Sequence, residues 1–306
     1  MTIALTRQVF VLFLMMALGF LLVKVKIVRS EDSKPISNVL VYLIVPAAMI
    51  NAFQIDYTPE IRDGFLLSLW VGIVIQVGIL IFVRLLKKPL RLTGVEMSSI
   101  MYSNAGNLVI PLITAAMGEE WVIYTSTYCA FQMILIWTYG NILIEEKPKV
   151  QWKKIFTNPN VIAIFLGVIL FLTRIKLPPL IGSTVSAFSA CLGPVSMIML
   201  GMLLASVEFK KVFSSARIYL IIALKMVVLP ALVLIVLKFT PLYTLHPDGK
   251  TILLITLLAT ITPSATTVVQ IAQFHDKTPA YASAINMATT VVALLTMPLM
   301  IFLYSL

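Results

Sequence analysis

Two short stretches carry amides, hydroxyls and prolines where a membrane-crossing helix would ordinarily hold Leu and Ala. The first is Asn104-Ala105-Gly106-Asn107-Leu108-Val109-Ile110-Pro111 and the second is Thr260-Ile261-Thr262-Pro263-Ser264-Ala265-Thr266-Thr267. Each lies inside a long apolar segment. Proline cannot donate to a helical ladder but suits a helix's first turn, so Pro111 and Pro263 are each expected to start a half-helix near the membrane centre. The starting end of a helix exposes N–H groups and partial positive charge, which favour anions. Asn104 and Asn107 add amides at the first break, and Thr262, Ser264 and Thr266 add hydroxyls at the second, flanked by Thr260 and Thr267. Gly106 admits backbone angles and close approaches barred to other residues. The chemistry this implies is capture of a small anion without covalent catalysis. The expected binding set is Asn104, Gly106, Asn107, Pro111, Thr262, Pro263, Ser264 and Thr266, with no metal ligand among them.

One cation lies deep in the same apolar setting. Lys225, in "IIALKMVVLP", follows Arg217 by eight residues, which is ~12 Å further along a helix. An intramembrane charge is a functional candidate, and the bland alternative is a lysine that snorkels to the interface. No carboxylate matches its depth: Glu96 sits near the start of its segment and the other twelve acids are in or near loops. Lys225 is expected to act at the substrate or as a fixed stand-in for a coupling cation. Asn51, Gln76, Gln132, Gln270 and Asn286 are read as interhelical hydrogen-bond partners before cavity lining. Cys129 and Cys191 read as small buried hydrophobes, and His246 and His275 fall in loops without a ligand cluster.

Such groups need a frame that crosses a bilayer many times. The 306 residues are 60% hydrophobic and 12% charged, against roughly a quarter charged in soluble domains, and mean hydropathy is +1.01. Apolar runs of about 20 residues recur along the chain, each long enough to cross ~30 Å of hydrocarbon. They lack the alternation of barrel strands. Ten spans are expected, at about 4–23, 35–55, 64–86, 94–117, 121–144, 158–174, 179–206, 216–238, 249–273 and 279–304. The first is read as a span and not as a cleaved leader. Sixteen of the 23 Lys and Arg residues then fall on one side and six on the other, with Lys225 between. The richer side should be cytoplasmic and both termini extracytoplasmic. The net charge of +10 therefore speaks for orientation and not for nucleic acid.

The breakers repeat. Pro46 and Pro194 are 148 residues apart, and Pro111 and Pro263 are 152 apart. Residues 1–147 and 158–306 read as two five-helix repeats joined by a cytoplasmic linker at 148–157. An odd number of spans per repeat requires the second to be inverted, a pattern of secondary transporters.

The stretch "YSNAGNLVIPLITAAMG" and the C-terminal "TPSATTVVQIAQFHDKTPAYASAINMATTVVALLTMPLMIFLYSL" resemble the auxin efflux carrier family. That family belongs to the bile-acid/sodium symporter-like superfamily, and the resemblance covers all ten spans in number and order. It implies an all-α integral membrane fold with interrupted, crossing spans 4 and 9. It also implies a scaffold domain (spans 1, 2, 6 and 7) and a transport domain (spans 3–5 and 8–10). By position, Asn104 resembles the crossover Asn, and Pro111 and Pro263 the crossover prolines. The short central loop is like that of bacterial members. Ser264 stands where plant carriers often have an amide, so auxin itself is not assumed. The implied function is secondary transport of a small carboxylate, auxin-like or a dicarboxylate such as malonate or malate, across the cell membrane. No cofactor is implied, and H+ or Na+ coupling stays open. The scaffold spans would carry any homodimer contact. A sensor that binds such a ligand without moving it is the alternative, and the sequence offers no motif of an intramembrane enzyme.

Overall fold

Prolines and short polar side chains set where the helices begin. Thr58 accepts a hydrogen bond from the Ile61 N–H at 3.2 Å and Pro59 follows as the first helical residue. Asn158 accepts from the N–H groups of Asn160 and Val161, again just before a proline. Thr93 and Glu96 form a capping box. Each of these satisfies N–H groups that a helix's first turn cannot pair internally.

The computed structural model describes residues 1–146, 156–206 and 215–306. Lys147, Lys149, Lys153, Lys154, Lys210 and Lys211, and most of the expected linker 148–157, lie outside the described residues. Seven described helices are long and apolar enough to cross a membrane: α1 (Thr2–Lys24), α2 (Ser30–Ala52), α3 (Pro59–Leu86), α6 (Glu119–Glu145), α8 (Pro179–Ala205), α9 (Ala216–Phe239) and α12 (Pro279–Ser305). Three shorter apolar helices are α5 (Ala105–Met117), α7 (Pro159–Thr173) and α10 (Gly249–Ile261). Two still shorter α-helices, α4 (Gly94–Met101) and α11 (Thr266–Phe274), are continued by α5 and precede α12 respectively, and a 3-10 helix, Pro241–Leu245, follows α9. Among the described residues no strand forms, and one isolated antiparallel bridge joins Ser103 to Ser264.

The interruptions fall where the polar residues lie, but not where the prolines predict. The first break is Tyr102–Asn104, between α4 and α5. Pro111 does not start a half-helix; it lies inside α5, seven residues into it. The second break runs from Thr262 to Ala265, both extended, and Pro263 lies within it, with α11 starting at Thr266. Gly106 is an ordinary helical residue of α5, so its expected special backbone angle is not used. The glycine that uses one is Gly118, which ends α5 with φ of +113°. Among the described residues three spans contain a π-helical turn: Leu40–Ile44, Ile136–Gly140 and Leu224–Val228. The first and third lie just before Pro46 and Pro230, where a wider turn accommodates a residue without an N–H.

Packing between helices depends on small residues, as is usual in lipid. α1 lies along the second half of α8, and a Cβ at Gly19 or Gly201 would strike the backbone of Ile198 or Met16. The last turns of α2 pack against α7 and the first half of α8. α3, α6 and α10 form a second packed set, and α12 contacts α9, α10 and α11. α5 reaches both sets, touching α1 and α8 on one side and α6 and α10 on the other. Cys129 is buried, but Cys191 is exposed at the joint inside α8; its helix face points away from the core.

Gly201→Ala is expected to push α1 from α8 and to cost about 1–3 kcal/mol, the usual range for overpacking. Gly78→Ala, where an added Cβ meets nothing within 4 Å, should be neutral or stabilising. Thermal unfolding of the two variants in detergent checks this ordering.

Candidate functional site

Breaking a helix in hydrocarbon frees backbone groups that water cannot satisfy. The two breaks satisfy each other first. The Asn104 N–H donates to the Pro263 carbonyl at 2.8 Å, and the Ala265 N–H donates to the Tyr102 carbonyl at 3.0 Å. What remains is taken up by side chains. Gln132 on α6 accepts from the Ser103 N–H at 2.9 Å and donates to the Ser103 carbonyl at 2.7 Å. Its amide thus pairs with Ser103 as a neighbouring strand would. On the other break, the Ser264 N–H donates to Thr289 Oγ1 at 3.1 Å, and Asn286 Nδ2 donates to the Ser264 carbonyl. Both partners come from α12.

The four helix ends sort into two electrical sides. α4 and α10 end at the crossing, and α5 and α11 begin there. Ends of the first kind are partially negative and those of the second partially positive. Lys225 serves the negative side. It is fully buried, and its Nζ donates to Ser103 Oγ at 2.6 Å. Ser103 Oγ in turn donates to the Thr260 carbonyl at 2.9 Å. That carbonyl is free because Ser264, its helical partner four residues on, donates to Thr289 instead. Among the described residues Lys225 is in no ion pair with a carboxylate.

The positive side holds the amides. Asn107 Nδ2 donates to Asn104 Oδ1 at 3.1 Å and lies 3.5 Å from Thr266 Oγ1. Asn104 is buried, and its Nδ2 has no hydrogen-bond partner among the described residues; the same is true of Ser264 Oγ. Gly106, Asn107, Thr266 and Thr267 are half-buried, and a Cβ on Gly106 would meet open space. The crossing therefore brings together Asn104, Gly106, Asn107, Pro263, Ser264 and Thr266. Thr262 is buried and donates to the Ala259 carbonyl, capping α10. Pro111 stands apart, packed near Gly193 of α8.

Several residues here were missed or undervalued in the sequence. Ser103 is central to the crossing, and Thr289 has no local signal at all. Gln132 and Asn286 were visible as polar residues in apolar spans. Gln76, donating to the Tyr128 carbonyl at 2.9 Å, and Asn51, donating to Glu119, also match the interhelical reading. Gln270 does not, being exposed on α11. At the far end of α4, the buried Glu96 holds Arg217 of α9 through two bonds of 2.6 and 2.7 Å and accepts from the Tyr281 hydroxyl of α12 at 2.8 Å. This ties α4, α9 and α12 into one unit.

The profile of the membrane transport protein family, of auxin efflux carrier type, matches residues 4–151 and 148–301. The chain belongs to this family. It is therefore a multi-pass membrane transporter, from a family of carriers and not of enzymes. A search of curated protein sequences gave no significant match.

The pairing of Gln132 with both backbone groups of Ser103 makes it the most costly side chain in the carrier's crossing to remove. Gln132→Leu strands a buried N–H and a buried C=O and should cost about 2 kcal/mol or more. Gln76→Leu removes a donor from a carbonyl that its own helix already serves, and should cost about 1 kcal/mol or less. Unfolding midpoints of the two variants test the order, and Gln76→Leu proving the worse would refute this account of the break.

Proposed function

We propose that the carrier is a secondary transporter of a small organic anion, working by alternating access. The observation that supports this most directly is the buried Asn104 Nδ2. It is a hydrogen-bond donor without a partner among the described residues, at the starting ends of α5 and α11. Its own Oδ1 accepts from Asn107 Nδ2, and the group left over is the amide donor. Buried donors beside positive helix ends are complementary to a carboxylate. Ser264 Oγ adds a second donor, and the half-buried Asn107 and Thr266 border the open side.

Lys225 complements this on the opposite face. In ion-coupled carriers the ends of half-helices coordinate the coupling cation. Here the ammonium occupies that side through Ser103, so the cation is built in and remains with the protein. This reading favours transport driven by membrane potential or anion exchange over sodium symport.

The arrangement is best read as ten spans in two inverted five-helix repeats, with α4–α5 and α10–α11 as the interrupted fourth and ninth spans. Support comes from the shared construction of the breaks. In each, a serine is held at both backbone groups by side chains of the helix that follows, Gln132 of α6 in one case and Thr289 with Asn286 of α12 in the other. α1, α2, α7 and α8 would be the scaffold and the surface for any homodimer. The other helices would carry the substrate. The basic loops orient the termini outward across the cell membrane.

Currents on a solid-supported membrane, with proteoliposomes and a panel of malonate, malate and aromatic monocarboxylates, test the proposal. One carboxylate should give saturable current without sodium. Asn104→Ala should weaken its apparent affinity about ten- to a hundredfold, as expected for a lost bond to a charged group, and Lys225→Met should abolish current. Saturable binding without counterflow of any carboxylate would instead make the protein a receptor.

A further inference from the structure

We propose that Ser196 is a positioning residue for the crossing: its hydroxyl replaces the backbone donor that Pro111 lacks and thereby ties Asn107 to α8. This deepens the transport reading above and rests on it.

In a regular helix the N–H of residue 111 would bond to the carbonyl of residue 107. Pro111 has no N–H, so the Asn107 carbonyl has no donor within α5. Ser196, fully buried on α8, supplies one. Its Oγ lies 3.2 Å from the Asn107 carbonyl oxygen and 3.1 Å from that of Gly193. A hydroxyl has a single proton to donate. The Gly193 carbonyl already accepts from the Met197 N–H in the helical pattern of Leu192–Ala205, whereas the Asn107 carbonyl has no helical donor. Demand therefore directs the proton across to α5.

The contact is also close-packed. A Cβ at Gly193 would come within 3.2 Å of the Pro111 ring, so the missing side chain lets the proline seat against α8. Asn107 then holds Asn104 and approaches Thr266 through its amide. Ser196 thus acts on the anion-facing ends of α5 and α11 without touching an anion itself. The bond is one-sided. If α5 slides along α8, Ser196 keeps an acceptor on its own helix, but the Asn107 carbonyl is left bare. That bias favours the orientation seen here.

The test uses one cysteine at Gly106, whose added Cβ meets open space, in a background with Cys129→Ala and Cys191→Ser. A membrane-impermeant maleimide, applied to either side of oriented vesicles, reports which way the site faces. Ser196→Ala should shift the ratio of the two labelling rates about three- to tenfold, the effect of one buried hydrogen bond. Ser196→Thr, which keeps the hydroxyl, should leave the ratio in place. In a Pro111→Ala background, where the missing N–H returns, Ser196→Ala should have no effect; Pro111→Gly repeats the cycle should the alanine variant fail to assemble. Equal shifts in both backgrounds, or a threonine variant that shifts as far as alanine, would overturn the proposal. Labelling needs no substrate. A cycle that holds while every carboxylate fails to move or bind leaves Ser196 its role and removes the transport reading alone.

Discussion

A backbone N–H or C=O left unpaired in hydrocarbon costs several kcal/mol, and this chain opens two helices at its centre. Everything around the crossing follows from how those freed groups are satisfied. A single break could be repaired only by side chains. Two breaks set against each other share part of the demand, and the Ser103–Ser264 bridge does so with two backbone bonds. The bridge orients what is left. Ser103 turns both backbone groups to Gln132, and Ser264 turns its own to Thr289 and Asn286. Each break is thus clamped from the span that follows it.

The same crossing separates charge. Two helices end at it and two begin, so one face is partially negative and the other partially positive. On the negative face the chain supplies Lys225, whose contact with Ser103 and, through it, the Thr260 carbonyl uses hydrogen bonds that the break had vacated. On the positive face it supplies no acid. There an amide donor and a hydroxyl have no partner among the described residues. In the proposed reading, filling one face and leaving the other open selects the sign of what completes it.

Much of this was legible in the sequence, and the limits have physical causes. Seven of the ten expected segments form helices long and apolar enough to cross a membrane, and the other three form shorter helices, because runs of about 20 apolar residues state their own length and need. The breaks were locatable because Asn104, Asn107, Thr262 and Ser264 are expensive in hydrocarbon without a reason. Gln132 and Asn286 were correctly read as partners of other helices. The particular partners were not readable, since Gln132 reaches back 29 residues and Ser103 reaches forward 157. Ser103 itself sits among other small residues and shows no local sign. Cys191 was misjudged because burial depends on which face of α8 turns inward, and its neighbours Ala190 and Leu192 do not show which face that is.

Pro111 is the instructive error. A proline in an apolar segment reads as the start of a helix, yet α5 begins six residues earlier, at Ala105. The break is made by the bridge and its clamps, which need no proline. A proline inside a helix is tolerated when another element serves the carbonyl four residues before it, and whether such an element exists is a fact about the fold and not about the local sequence. Here that element is α8, which packs with α1 and α2 and apart from the clamps on the crossing. The bonds of the bridge are internal to the helices that carry it and need not change if those helices move together. The contact from Asn107 to Ser196 spans the boundary between the two packed sets, so it is the one polar contact of α5 described here that a relative movement must break. The break thus creates the polar ends, while the proline, one turn and a half away, connects their position to the neighbouring helix.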